Sequence, residues 1–141
     1  MANAIFNSFK RDIANGSINL ATDAVKIMLV GSAYTPNIDT HAKRSDVTNE
    51  VSGTGYTAGG IALVNKTVTM NTTSDKGVFD ADDLTLSNAT ITARGAVLYK
   101  ARGGASSADE LIAYLDFGAD ITSTAGNFNI AFDANGIITI G

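Results

Sequence analysis

The chain has 141 residues, a formal net charge of -4, a hydrophobic fraction of 45% and a charged fraction of 17%. That length suffices for one domain with a real core and is short for two. The absence of Cys excludes disulfides, thiolate zinc sites and cysteine nucleophiles. No run of Lys or Arg exceeds two residues, so the clustered cations that bind nucleic acid or an anionic membrane surface are missing.

The charged fraction lies below the roughly 25% usual for soluble domains. Combined with 14 Gly and many Thr, Ser and Asn, it suggests a surface covered by neighbours rather than by water. The opening MANAIFNSFKRD lacks the profile of a signal peptide, because its apolar residues are interrupted and its charges follow them. No apolar run approaches the ~18–20 residues of a membrane helix. The expectation is a soluble chain made in a cytoplasm.

Taken in order, Ala4–Asn15 places Ile5, Phe9 and Ile13 four residues apart, with Phe6 beside them. This spacing predicts a helix over 4–15, with Asn7, Lys10, Arg11 and Asp12 facing away and Gly16 ending it. Such a helix packs on its own sheet or serves as an arm docked on a neighbour, which makes Phe6 and Phe9 candidate contacts. The rest, 24–140, reads as a β domain.

Ala24–Val30 is dense in Val, Ile, Met and Leu and reads as a strand buried on both faces, ended by Gly31. Ser32–Asp46 is a long polar connection with the only Pro (Pro36) and the only His (His41). Connections of that length are usually functional or packed on a partner. Ser45 is placed to cap one helical turn.

Glu50–Leu63, EVSGTGYTAGGIAL, is a glycine-rich turn running into a strand, and it organises the chain. Ile61–Met70 then reads as one strand, Asn71–Gly77 as a turn, and Ala81–Ser87 and Ala89–Ala101 as two strands, with Gly95 marking a bulge or a close approach. Arg102–Asp109 reads as a flexible loop and Glu110–Phe117 as a strand. Asn135-Gly136, between the alternating runs Phe128–Phe132 and Ile137–Ile140, predicts a hairpin. The sum is a single mainly β domain spanning 1–141, an antiparallel sandwich or barrel-like fold with a short N-terminal helix.

Chemical motifs are sparse. Gly53-Thr54-Gly55-Tyr56-Thr57-Ala58 satisfies G-x-G-x-x-A, but a polar stretch precedes it and a strand follows, so it reads as a turn rather than a dinucleotide site. Asp80, Asp82 and Asp83 are the densest acidic cluster. They would hold Ca²⁺ only if further oxygen ligands converged, and an exposed hydrogen-bonded turn is the simpler reading. Asp133-Ala134-Asn135-Gly136 starts like a calcium loop but lacks its downstream Glu. His41 has no second His or Cys to form a metal site, and no Ser sits in a G-x-S-x-G elbow. Neither a cofactor nor a catalytic set is expected, so the chain reads as a non-enzyme.

Several stretches together resemble small structural proteins from the virion gene blocks of tailed bacteriophages and prophages. They are KIMLVGSAYTPNIDTH (Lys26–His41), SDVTNEVSGTGYTAGG (Ser45–Gly60), ITARGAVLYK (Ile91–Lys100), LIAYLDFG (Leu111–Gly118) and FNIAFDANGIITI (Phe128–Ile140). The resemblance covers most of the chain and implies a particle component without chemistry. Within that class the first expectation is a head decoration or cement protein that bridges neighbouring capsid subunits. Its partners would be the major capsid protein or other virion proteins and further copies of itself, as in a trimer, with no nucleic acid or membrane involved. The second expectation is a tail or baseplate component, including a receptor-binding module. The segments Ser32–Asp46, Gly53–Gly60 and Arg102–Ala108 are the expected contact surfaces. Tyr34 and Tyr56 are the expected anchors, with Pro36, His41, Gly53, Gly55 and Arg102 around them.

Overall fold

The computed structural model of the protein describes residues 3–141. Among the described residues, eight strands and one α-helix follow in the order β1 (Ala4–Ile5), α1 (Asn7–Ala14), β2 (Val25–Val30), β3 (Ile61–Ala62), β4 (Thr67–Asn71), β5 (Lys76–Asp80), β6 (Leu84–Lys100), β7 (Leu111–Ile130) and β8 (Ile138–Ile140). Short 3₁₀ turns occupy Arg44–Asp46 and Ser106–Ala108. The strands form two antiparallel sheets, a five-stranded one ordered β1-β7-β6-β2-β3 and a three-stranded one ordered β4-β5-β8. The fold is mainly β and sandwich-like rather than a closed barrel.

The large sheet is covered on both faces, as the apolar density of β2 leads one to expect. Val25, Ile27 and Leu29 face one cluster, with Phe9 of α1, Ala96 and Leu98 of β6, and Phe79 and Ile138 of the small sheet. Met28 and Val30 face a second cluster with Phe6, Tyr34, Val97, Tyr99, Leu111 and Tyr114. Strand alternation puts Lys26 on the face of Met28 and Val30.

The β6–β7 ribbon does most to shape the molecule. Straight, the 17 residues of β6 would span roughly 50 Å at about 3.3 Å per residue. Yet Lys100 pairs with Val25, the Leu63 N–H donates to the Val25 carbonyl, and the Asp82 N–H donates to the Val64 carbonyl. That chain of contacts brings Leu84 back within about 30 Å of Lys100, so the ribbon bends over its own base. The bends coincide with register shifts between Leu86 and Ala89, between Ala89 and Ile91, and between Ala93 and Gly95. Asn88, Ala125 and Gly118 beside them have positive φ. Such bulges sharpen twist and let a strand pass from one layer to the next. Gly95 is both a bulge and a close approach, since a Cβ there would lie 2.5 Å from the Tyr114 hydroxyl.

Several boundaries differ from those read in the sequence. The helix starts at Asn7, because Phe6 is extended (φ -66, ψ 139) and Ala4–Ile5 pairs with Tyr114 and Ala113 instead. Ile5 therefore leaves the helical stripe, and the sheet begins at Ala4 rather than near residue 24. Asp12, expected to face solvent, is buried beside Arg11. The α1 segment is not a free arm: Phe6 and Phe9 are 0% and 1% exposed in the chain's own core. They are filling, not contact residues.

Ile61–Met70 divides into β3 and β4 in different sheets, with Asn65 at φ 53 between them. The two strands read over Ala81–Ala101 are one, and β7 runs on to Ile130. The C-terminal hairpin is absent. The Asp133–Gly136 turn is present, closed by the Gly136 N–H on the Asp133 carbonyl, but it carries the chain between sheets. β8 pairs with β5, not with β7. The turn at Arg44–Asp46 is preceded by Lys43 rather than capped by Ser45, and Asp46 accepts from the Ala42 and Lys43 N–H groups.

Candidate interaction surface

Of the three polar segments singled out in the sequence, Ser32–Asp46 covers the second face of the large sheet through Tyr34, whereas Tyr56 of Gly53–Gly60 packs against the first cluster, and inward hydrogen bonds fix each segment. The Tyr34 hydroxyl lies 2.9 Å from His41 Nδ1, the two rings stack at 5.7 Å, and Tyr34 also meets Tyr114 at 6.1 Å. The Asn37 N–H donates to the same His41 nitrogen, and the Asn7 N–H donates to the Ile38 carbonyl, tying the loop to the start of α1. Tyr34 is 4% exposed. Burial pushes its hydroxyl well above the ordinary tyrosine range. It holds the loop from beneath, leaving Pro36 and His41 half-buried and Ile38 exposed.

In the glycine-rich turn, Glu50 Oε2 accepts from the Tyr56 hydroxyl at 2.6 Å and from the Gly59 N–H at 2.7 Å. The Tyr56 oxygen accepts from the buried Leu29 N–H at 3.0 Å. Burial, reinforced by Glu50, raises the Tyr56 hydroxyl far above its usual range. Tyr56 is thus half-buried and turned inward, not presented as an anchor. Gly53 and Gly55 stand where the turn meets the bent ribbon, and added Cβ atoms would lie 2.3 Å from the Thr90 carbonyl oxygen and 2.8 Å from Ala89 Cα. Their lack of a side chain serves this internal contact.

Around the third segment, Arg44 Nε pairs with Asp109 Oδ2 at 2.8 Å, and the guanidinium lies 5.1 Å from the centre of the Tyr99 ring. Asp109 Oδ1 accepts from the Arg102 N–H. Arg102 makes two 2.6 Å bonds to the buried Glu110, and this pairing holds the Glu110 carboxyl below its ordinary value. Arg102 is therefore a lock on the strand end, with its side chain 44% exposed.

Where the three segments converge, they enclose a cleft of about 320 Å³, walled by Arg44, Glu50, Ala58, Gly59, Gly103, Gly104 and Asp109, with Lys26, Tyr99 and Ala101 completing it. The Tyr99 hydroxyl donates to the Gly59 carbonyl across its floor. Of the expected contact residues, none lines this cleft. Lys26, Arg44 and Tyr99 do, and the sequence pointed to two of them: Arg44 lies in the expected contact segment Ser32–Asp46, and Lys26 is the lone charge in the apolar run VKIMLV. A second, wider hollow of about 610 Å³ is lined by uncharged groups such as Ser32, Asn49, Ser52, Thr90, Thr92 and Thr122, with Glu50 at its edge.

The three acids of the 80–83 turn do not converge. Asp80 accepts from the Ala81 N–H, Asp82 from the Asn65 amide, and Asp83 from the Phe132 N–H. Among the described residues, no three His, Cys, Asp or Glu side chains group as they would around a metal ion, and no helix is long and apolar enough to cross a membrane. Compared with protein-family models, with curated proteins and with solved structures, the chain matches none.

Proposed function

We propose that the chain is a non-enzymatic structural component of a tailed-bacteriophage particle. Its foremost role in this reading is capsid decoration or cementing, bridging neighbouring capsid subunits. The observation that carries the reading is the convergence of three inward-braced polar segments on one cleft beside Tyr99. Their outward positions are small or uncharged over long stretches, as at Ser52–Gly55, Thr57–Ala58 and Gly103–Ala105. Such a face can be buried repeatedly without desolvating unpaired charges. The resemblance to virion proteins supplies the partner class: the major capsid protein or other virion proteins, with further copies of this chain, as in a trimer. The protein would be made in the bacterial cytoplasm and end in the virion.

The test is to separate heads from tails in a lysate of the phage or prophage carrying this gene and to count this chain in each fraction by mass spectrometry. Decoration predicts many copies in the head fraction and a loss of heat stability in heads lacking it. A few copies confined to tails would replace decoration by a tail or baseplate role. Absence from both fractions would remove the virion reading.

A further inference from the structure

The geometry points to the cleft between the three segments as a seat for a single carboxylate, the side chain of an Asp or Glu on the partner protein. This deepens the contact-surface reading above and rests on it. The argument begins with charge accounting inside the cleft. Asp109 is 2% exposed, and both its oxygens are occupied, by Arg44 Nε and the Arg102 N–H. Glu50 also lines the cleft, with its Oε2 accepting from the Tyr56 hydroxyl and the Gly59 N–H. Lys26 lines the cleft, yet among the described residues its ammonium makes no hydrogen bond or ion pair. The Arg44 guanidinium uses only Nε and the face of its π-system on neighbours, so its outer N–H groups remain available.

Unmatched donors in a recess of this size favour an anion, because charge-assisted N–H···O⁻ bonds are stronger than neutral ones. The two acids in the walls limit the charge that the recess tolerates. Lys26 and Arg44 against Glu50 and Asp109 leave the lining formally neutral, so the recess takes a single charge on the free Lys26 and Arg44 donors, whereas a divalent phosphate or sulfate would meet twice the repulsion from Glu50 and Asp109. The chain carries net charge -4, so the donors left free on Lys26 and Arg44 also select how a partner approaches. Gly103 and Gly104 leave the rim open, since nothing lies within 4 Å of a Cβ at either.

The experiment is a titration of the full ¹⁵N-labelled chain with sodium acetate, a monovalent carboxylate, followed through amide shifts, against sodium chloride at equal ionic strength and against sodium sulfate. Saturable shifts of the Gly59, Gly103 and Gly104 amides are expected. They should weaken about tenfold or more in Lys26→Met and stay within about threefold in Lys26→Arg, as expected for loss and retention of one charge-assisted bond. Circular dichroism and the unaffected remainder of the spectrum establish that each variant is folded. No saturable shift, or an equal response in Lys26→Met, overturns the proposal. Equal binding of sulfate overturns it too, by making the site a general anion trap. On particles, a folded Lys26→Met chain at wild-type copy number would remove the partner carboxylate while leaving the virion reading intact. Wild-type chain missing from particles would remove the virion reading, with the acetate result standing separately.

Discussion

Two glycines show how unequal residues of one type can be. Gly60 has φ +85, and a Cβ there would sit 1.9 Å from the Ile27 carbonyl oxygen. Gly103 has nearly the same φ, +81, with nothing within 4 Å. Gly103→Ala should therefore cost only the left-handed penalty of about 1–2 kcal/mol. Gly60→Ala must move backbone and should cost about 3–5 kcal/mol or prevent folding. Urea denaturation of both variants checks this, and equal losses would contradict the close approach. The sequence displayed the glycines but not this difference, because a turn glycine and a close-packing glycine look alike without the chain that crosses them. The same ambiguity made Gly53 and Gly55 look like outward contacts. Tyr56 was misjudged for a related reason: aromatic enrichment at interfaces says nothing about which way a hydroxyl points. Tyr56→Phe removes a donor from Glu50 and an acceptor from the buried Leu29 N–H, so it should lower stability by about 1–3 kcal/mol. An unchanged urea midpoint would show that the inward bonds contribute nothing.

At the scale of elements, the ends of the long ribbon are held by ion pairs whose protonation behaviour can be stated. Glu110 is kept below its ordinary value first by its hydrogen bonds to Arg102. Asp46 is kept low by the Ala42 and Lys43 N–H groups. Burial pulls Asp23 upward, but the Asn19 N–H and Lys100 outweigh it, leaving that carboxyl low as well. A carboxyl depressed in the folded chain releases its proton more readily there than in the unfolded chain. Its stabilising contribution is complete above the ordinary carboxylate range and fades as pH falls, from about pH 5 downward. Thermal midpoints should fall across that interval, and Arg102→Leu should make the fall shallower while lowering the midpoint near neutrality. An unaltered slope in Arg102→Leu would exclude Glu110 as a contributor. The strand cores of these elements were legible from β-branched density. Their lengths and partners were not, because bulges at Asn88, Gly95 and Gly118 interrupt alternation without ending a strand. The Asn135-Gly136 turn misled in the same way: local chemistry specified a reversal, and tertiary packing gave β8 to β5.

For the whole molecule, composition and turn spacing were enough to reach a mainly β antiparallel sandwich with one helix, and to mark the three polar segments as a set. They could not reveal the cleft, because Lys26, Arg44 and Tyr99 come from separate stretches that only the sheet brings together. If these segments are the face that meets a partner, a charge placed there should disturb assembly without disturbing folding. Ala58 is exposed at the cleft wall, while Thr139 is exposed on β8, outside the three segments. Ala58→Glu adds a negative charge beside Glu50 and Asp109, and it fills the space where a partner would enter. Thr139→Glu adds the same charge to the edge of the small sheet. Both should keep a thermal midpoint near that of the wild type, since exposed substitutions usually shift stability by no more than about 0.5 kcal/mol. Only Ala58→Glu should reduce copy number on particles, by about tenfold or more, in a competition with tagged wild-type chain read by quantitative mass spectrometry. If Thr139→Glu is the variant that drops out, the partner-facing surface is the small sheet. The three braced segments would then serve only to cover the core.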